Sequence, residues 1–334
     1  MPKLLPGTHL LKGLALAALI TLICILLTQV LHSSISPLIF AIVLGLIVGN
    51  LCPQLTSGGW HGGLDFCKKR LLRIGVAFYG IHITLQHIAA IGTGALIVDI
   101  VMLSSTLLLG YWIGHKWFGL DAPTSLLVGA GSAICGAAAV LAAEPVVRAK
   151  PQQATVAVGT VVIFGTLAMF LYPLMYPLLG LSPEAMGIYT GATIHEVAQV
   201  VAAGDAISSE VAQTAVITKL TRVMMLAPVL VLLGNWLNRK QGTSAARAPQ
   251  PWFAYGFILV VVINSMVALP AGVIEAIKHL DSWALTMAMA ALGLSTHLSA
   301  LRSVGWKPMA LGAILFLHLI VTGLIVTQLA TTWL

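Results

Sequence analysis

Three polar side chains stand close together in the apolar stretch GATIHEVAQVV, residues 191–201: His195, Glu196 and Gln199. Ionisable groups inside apolar segments are costly, and they usually line a route for ions or substrates. Histidine changes charge near neutral pH, and a buried glutamate can hold a proton there. The pattern predicts that these three residues couple a proton or a sodium ion, or gate a site. The alternative is that they only satisfy helix ends inside a bundle.

Three further charged side chains interrupt apolar segments: Asp99, Lys219 and Arg222. Lys219 and Arg222 are three residues apart and therefore share a helix face. A guanidinium group suits a planar or tetrahedral oxyanion, so we predict that Arg222 binds an anionic substrate. Asp99 and Lys219 are predicted ion-coupling groups. The alternatives are that Arg222 only pairs with a glutamate, and that Asp99 only pairs with a cation such as Lys219.

Enzyme signatures are missing from the sequence. The segment His195-Glu196 begins like the zinc motif H-E-x-x-H, but Gln199 stands where the second histidine would be needed. The four cysteines have no metal-binding or disulfide spacing, and there is neither a G-x-S-x-G elbow nor a Walker loop. We therefore expect no enzyme, no catalytic residue, no metal site and no cofactor other than a coupling H⁺ or Na⁺.

The composition is that of a membrane protein. Of the 334 residues 59% are hydrophobic and only 8% are charged, which is too few charges to cover a soluble core. The formal net charge of +7 comes mainly from basic loops, which report orientation in a membrane and do not indicate a nucleic-acid partner. The predicted fold class is all-α and polytopic, in a lipid bilayer. The predicted apolar segments are 11–31, 36–50, 71–90, 94–117, 123–146, 153–176, 183–206, 209–236, 252–270, 283–301 and 308–331.

The sequence also resembles itself at two offsets. Residues 132–143 align with 192–203 at an offset of 60, and residues 77–92 align with 290–305 at an offset of 213. The first alignment pairs Ile134 with Ile194, Cys135 with His195, and Gly136 with Glu196. We interpret the chain as one membrane domain, 1–334, containing the repeat-related segments 71–176 and 183–331.

Charge distribution decides how these segments cross the membrane. Eleven crossings would place the basic residues at 148–150 and 239–247 outside, against the excess of Lys and Arg in cytoplasmic loops. If 123–146 and 183–206 each enter and return on one side, these residues become cytoplasmic and both repeat pairs become inverted. We therefore predict about nine transmembrane helices plus two opposed re-entrant hairpins, with a cytoplasmic N-terminus and a periplasmic C-terminus. The alternative is 10–11 spanning helices.

The tips of the two hairpins are the predicted substrate site. Half-helix N-termini near the midplane offer free N–H groups and partial positive charge, which suit anions. The predicted substrate-binding residues come from both tips and from the cationic helix. They are Ser132, Ile134, Cys135, Gly136, Thr193, His195 and Arg222.

Four stretches carry a family resemblance: GAGSAICGAAAV (129–140), IHEVAQVVAAG (194–204), TKLTRVMMLAP (218–228) and AMAALGLSTHL (288–298). Together they resemble the YeiH-like sulfate exporter family of bacterial inner-membrane proteins, and the likeness runs over nearly the whole chain. The resemblance implies transport and suggests sulfate or a related anion as substrate.

The leading prediction is a secondary transporter that moves a small anion, sulfate or a related sulfur oxyanion or sulfonate, across the bacterial inner membrane. It would work by alternating access with H⁺ or Na⁺ coupling. A passive anion channel, and a membrane enzyme or other non-transporting membrane protein, are the alternatives. The oligomeric state is open, with a homodimer as the candidate assembly.

Overall fold

The computed structural model describes residues 6–30, 37–56, 58–241, 252–267, 269–296 and 305–333. These residues form helices joined by short turns, with no β-strand among them, so the predicted all-α fold is confirmed. The helices are α1 Pro6–Val30, α2 Pro37–Leu51, α3 His61–Phe66, α4 Leu72–Phe78, α5 Leu85–Trp112, α6 Ala122–Ala133, α7 Ala137–Val147, α8 Pro151–Leu179, α9 Pro183–Thr193, α10 Val197–Asp205, α11 Ser209–Met224, α12 Leu226–Gln241, α13 Trp252–Met266, α14 Ala271–Ser295 and α15 Trp306–Trp333. Most of the loop 239–251 and half of the repeat copy 290–305 lie outside the described residues.

Five stretches of helix within the described part of the chain are long and apolar enough to cross a membrane. Shorter apolar helices accompany them, among them α2 and α7. The chain is therefore a polytopic α-helical membrane protein, as predicted, whereas the count of nine spans stays a prediction. The five long stretches are Leu10–Val30, Gly92–Trp117, Gln152–Leu179, Ser209–Leu237 and Trp306–Thr332.

The predicted continuous helix over 71–90 is wrong. After α4 the chain makes one 3₁₀ turn, Tyr79–His82, and Ile83 is extended before α5 begins. The side-chain amide of Asn264 on α13 donates to the carbonyl of Ile81 at 3.1 Å and to that of Ile83 at 3.0 Å. These bonds satisfy carbonyl groups that the interrupted helix leaves without partners.

Two other predicted segments differ from the structure in their bounds. The segment 283–301 begins much earlier, at Ala271, because charged residues in its first half hide the apolar face in the sequence. The segment 209–236 is divided at Met225. Pro228 has no N–H to donate to the carbonyl of Met224, so the regular hydrogen-bond pattern stops there.

The chain divides into two compact units, residues 1–86 with 253–300 and residues 87–252 with 301–334. In the first unit, α2 packs on α14 through glycines. A Cβ on Gly45 would lie 2.5 Å from the carbonyl oxygen of Ala290, and one on Gly293 would collide with the carbonyl of Ile42. The two backbones therefore touch directly, as small residues allow in membrane helix pairs. All candidate site residues belong to the second unit.

Helices α6 and α7 form a hairpin in the second unit. The N–H of Gly136 donates to the carbonyl of Gly131 at 2.9 Å, and a Cβ on Gly131 would lie 2.7 Å from a methyl group of Val140. In one straight helix, residues nine positions apart would be about 13 Å from each other. The chain therefore reverses direction within the predicted segment 123–146.

The first arm of the second hairpin, α9, runs alongside α11 in the same direction. Gly187 packs on Thr214, and Gly191 packs on Ala215 and Thr218, four residues further along both helices. Both glycines leave room for the neighbouring helix, because a Cβ at either position would meet its atoms.

The second arm, α10, runs against α11 in the opposite direction. Near the end of α10, Gly204 packs on Ala212 close to the start of α11. Ile194, just before α10, lies beside Lys219 much further along α11. Since α9 is parallel to α11 and α10 is antiparallel to it, the chain also reverses within 183–206. Both segments thus have the geometry of a re-entrant hairpin and not that of a single spanning helix.

Candidate functional site

Both hairpins turn over three residues, 134–136 and 194–196, which are the positions aligned at the offset of 60. Ile134 leaves the helical region with φ −119° and ψ −83°, and Gly136 has a positive φ of 66° that favours glycine. In the second hairpin Ile194 and Glu196 are extended. The tips predicted from the sequence are therefore the observed breaks.

Lys219 of α11 connects the two tips. Its ammonium group is fully buried and donates to the carbonyl of Ile134 at 2.8 Å and to that of Ile194 at 2.5 Å. These carbonyls lie at the C-terminal ends of α6 and α9, where backbone acceptors lack helical partners and the helix dipole is negative. Lys219 therefore compensates two helix ends with one charge.

Glu196 lies against the first tip. Its carboxylate accepts a hydrogen bond from the backbone N–H of Ala137, the first residue of α7, at 3.3 Å. A Cβ on Gly136 would lie 2.5 Å from Cγ of Glu196, so glycine provides both the positive φ and the space. A carboxylate at a helix N-terminus is electrostatically favourable. Positions 136 and 196, aligned in the sequence, are thus in direct contact.

Gln199 holds the second tip to α8. Its side-chain oxygen accepts from the N–H of Glu196 at 3.1 Å, and its amide nitrogen lies 3.4 Å from the hydroxyl of Thr166. A Cβ on Gly165 would collide with the same side chain. Through these contacts Gln199 holds the backbone of Glu196 close to α8.

Thr193 forms a chain of hydrogen bonds that includes a residue absent from the sequence prediction. Its hydroxyl donates to the carbonyl of Tyr189 and accepts from the hydroxyl of Tyr172 at 2.8 Å. The rings of Tyr172 and Tyr189 stack at 4.8 Å, and both are fully buried. A single tyrosine in an apolar segment looks like a core residue, so Tyr172 could not be recognised as a site residue from the sequence.

Arg222 is the largest fully buried side chain among the described residues. None of its three guanidinium nitrogens has a hydrogen-bond partner within the part of the chain that the structure describes. The expectation that Arg222 only pairs with Glu196 or Glu210 is therefore wrong in this structure. Its charge still acts on Asp99, Cys135 and His195 in the surrounding protein.

Other predicted site atoms are also buried and unpartnered within the described chain. They include the hydroxyl of Ser132 on α6 and Nδ1 of His195 in the second tip. The thiol of Cys135, in the first tip, is buried beside the charges of Lys219 and Glu196. No group of three potential metal ligands occurs among the described residues.

Asp99 on α5 is fully buried, and neither of its carboxylate oxygens has a hydrogen-bond partner in the described regions. The alternative of a direct hydrogen-bonded pair with Lys219 is therefore not observed among the described residues, and the ion-coupling role stays a prediction. Helix α5 runs antiparallel to α15, because Gly94 lies beside Ala330 and Ser105 hydrogen-bonds to His318 at 3.0 Å. Asp99 instead interacts with Arg222 and Lys219 through their charges at longer range.

The sequence of the chain matches a known protein family and several curated relatives. Residues 12–312 match the family described as Conserved hypothetical protein 698. The chain belongs to this family. It is 49% identical to a UPF0324 membrane protein of Pseudomonas aeruginosa, over 96% of this chain and 94% of the relative.

The UPF0324 inner membrane proteins YeiH of Escherichia coli K12 and Salmonella typhimurium LT2 are also 49% identical to the chain. In each case the match covers 94% of this chain and 93% of the relative. The predicted resemblance to the YeiH-like family is thereby confirmed. The names of these relatives state a membrane location and no substrate.

Proposed function

We propose that the protein is a secondary transporter of a small oxyanion, sulfate or a related sulfonate, and that it catalyses no chemical reaction. The bacterial inner membrane is its proposed location, as in the names of the relatives. One observation carries the proposal. The guanidinium group of Arg222 is fully buried and has no hydrogen-bond partner in the described structure.

A buried guanidinium without partners is energetically unfavourable. Removing a charged group from water costs several kcal/mol unless an opposite charge and hydrogen bonds compensate for it. Arginine presents five N–H donors in a rigid fork that matches the oxygens of an oxyanion. Binding of such an anion would supply both the missing acceptors and the missing negative charge.

Neighbouring groups support an anion of this kind. The unpartnered Ser132 hydroxyl can donate a hydrogen bond, and His195 can donate through Nδ1 in the suitable tautomer or when protonated. The second arms of both hairpins, α7 and α10, begin at the tips, so their N-terminal N–H groups and positive dipole ends lie there. Glu196 already occupies one such position at α7, so the substrate would bind closer to Arg222 and α10.

Asp99 is the proposed site for a coupling proton. Its carboxylate has no hydrogen-bond donor within the described residues, which favours the neutral acid. In the absence of substrate, an ionised Asp99 would balance the charge of Arg222. When an anion binds to Arg222 this balance is no longer needed, and Asp99 would take up a proton. Anion and proton would then move together.

Alternating access would move the hairpin-bearing helices against the remaining helices, with the N-terminus cytoplasmic and the C-terminus periplasmic. Positive-inside loops support this orientation.

The test uses purified protein, first in a thermal-shift screen and then in liposomes. Sulfate, sulfite, thiosulfate, taurine and organic acids are compared at several pH values, because a ligand of the native state raises the melting temperature. The best ligand is then followed as radiolabelled uptake and exchange. Saturable exchange that is lost in His195→Ala and Glu196→Gln supports the proposal. Flux that does not saturate would indicate a pore, and no flux of any stabilising anion would refute transport.

A further inference from the structure

At the contact between the two hairpin tips, two backbone carbonyls accept hydrogen bonds from one cationic side chain. Broken helices in secondary transporters coordinate Na⁺ through unwound carbonyls and half-helix C-termini. In this chain the corresponding acceptors are the carbonyl oxygens of Ile134 and Ile194. Both belong to residues that end a helix and leave its regular geometry.

The atom between these carbonyls is Nζ of Lys219, at 2.8 Å from one and 2.5 Å from the other. Lys219 is fully buried, so water does not compete for its ammonium group. The charge is held where two negative helix ends converge, which is where a free monovalent cation would otherwise be stable.

We propose that Lys219 is a tethered replacement for Na⁺ at the hairpin tips, so that the protein binds no sodium there. The cation site would become available to a free ion only when the ammonium group is removed. As far as transport is concerned, the inference rests on the proposed function, and it leaves the proton as the coupling ion. The absence of sodium binding at the tips does not depend on which anion is carried.

One other cationic side chain on α11 has to be considered as a donor to the two tip carbonyls. Arg222 is one turn from Lys219, but none of its nitrogens has an acceptor among the described residues, so it does not donate to the tip carbonyls. Removal of the Lys219 ammonium therefore leaves both carbonyls without this donor. Buried acceptors without partners destabilise a protein, so a bound ion would raise the melting temperature of the variant measurably.

The experiment measures the melting temperature of purified protein at constant ionic strength while NaCl replaces choline chloride. The wild type should show no sodium-dependent change. Lys219→Met, which keeps the length of the side chain and removes its charge, should melt at a lower temperature in choline. It should recover by at least ~3 °C as sodium rises to about 200 mM. Lys219→Ala is a second variant with more room for the ion, and Lys116→Met changes an exposed lysine as control.

Saturable stabilisation of the wild type by sodium, and not by potassium or choline, would overturn the inference. The inference would also be overturned if a folded Lys219→Met or Lys219→Ala protein had a melting temperature that does not change with sodium or lithium. If neither variant can be purified, the wild-type titration still decides. Addition of sulfate to the same wild-type samples reports on the anion site separately, so a failed anion proposal and a failed cation proposal give different results.

Discussion

Glu196 caps α7 across the two hairpins: its carboxylate accepts the N–H of Ala137 at 3.3 Å, although 59 residues separate them in the chain. The aligned residues Gly136 and Glu196 are therefore in contact, and the aligned residues Ile134 and Ile194 share one donor. Equivalent residues meet in this way near an axis that relates two similar halves. The two-fold relation of the longer segments 71–176 and 183–331 stays a prediction.

Exchange of Arg222 for Met should separate binding from stability. A neutral side chain removes a buried guanidinium group that has no hydrogen-bond acceptor among the described residues, so without ligand the variant should melt at or above the wild-type temperature. Binding of sulfate should weaken by at least ~100-fold, since hydrogen bonds to charged groups contribute about 1.5–3 kcal/mol each. Thermal shift and radioligand binding measure both effects, and Arg70→Met, at an exposed position, is the control. Unchanged sulfate affinity in a well-folded Arg222→Met protein would exclude the anion site.

Replacement of Glu196 by Gln should leave the fold intact. The amide oxygen can still accept the N–H of Ala137, so the melting temperature should stay within a few degrees of the wild type. Exchange of labelled anion in liposomes should nevertheless be lost, because the amide carries no negative charge at the contact between the two tips. The control is Glu184→Gln, on the exposed side of the first turn of α9. If the Gln variant exchanges anion at the wild-type rate, Glu196 has only a structural role.

Gly136→Ala should be strongly destabilising for two reasons. The residue has a φ of 66°, and an added Cβ would lie 2.5 Å from Cγ of Glu196. We expect a loss of about 2–4 kcal/mol from strain and overlap together. Gly92→Ala is a matched control, because Gly92 has a similar backbone conformation, φ 67° and ψ −165°, but open space around it, so only the backbone strain of about 1–3 kcal/mol applies.

A double variant measures how much the overlap between the added Cβ at position 136 and the side chain of Glu196 contributes to the loss of stability. Combining Gly136→Ala with Glu196→Ala should recover stability relative to Gly136→Ala alone, as measured by the melting temperature. An equal loss for Gly136→Ala and Gly92→Ala would show that the close contact with Glu196 does not contribute to the loss.

Asp99→Asn should uncouple transport from the proton gradient. An amide has nearly the shape of the neutral acid, so the fold should be retained while the proton-binding group is lost. Uptake into liposomes driven by a pH gradient should fall to the level measured without a gradient, whereas Asp205→Asn, at an exposed position, should behave like the wild type. Gradient-driven uptake by Asp99→Asn at the wild-type rate would assign proton coupling to another residue.

Sequence reasoning located the tips because glycines and small polar residues interrupt apolar runs there, and because the positions of the basic residues predicted that each segment returns to the side from which it enters. It did not foresee the bonds of Lys219, since nothing in the chain shows which of many buried carbonyls lies near position 219. The break after Tyr79 was missed for a similar reason. Its stabilising partner, Asn264, is 183 residues away from Ile81, and Gly80 alone is common in membrane helices.

The bridge formed by Lys219 limits how a passage through this unit can open. Separating the two tips would leave the Lys219 ammonium group or at least one of the two carbonyls without its hydrogen-bond partner in an apolar interior. Loss of these partners would be a large energetic barrier to separation. The two hairpins therefore cannot move apart independently of each other. If the protein is the transporter proposed above, solvent must reach the substrate from each side by rearrangements elsewhere, and the paired tips must move together.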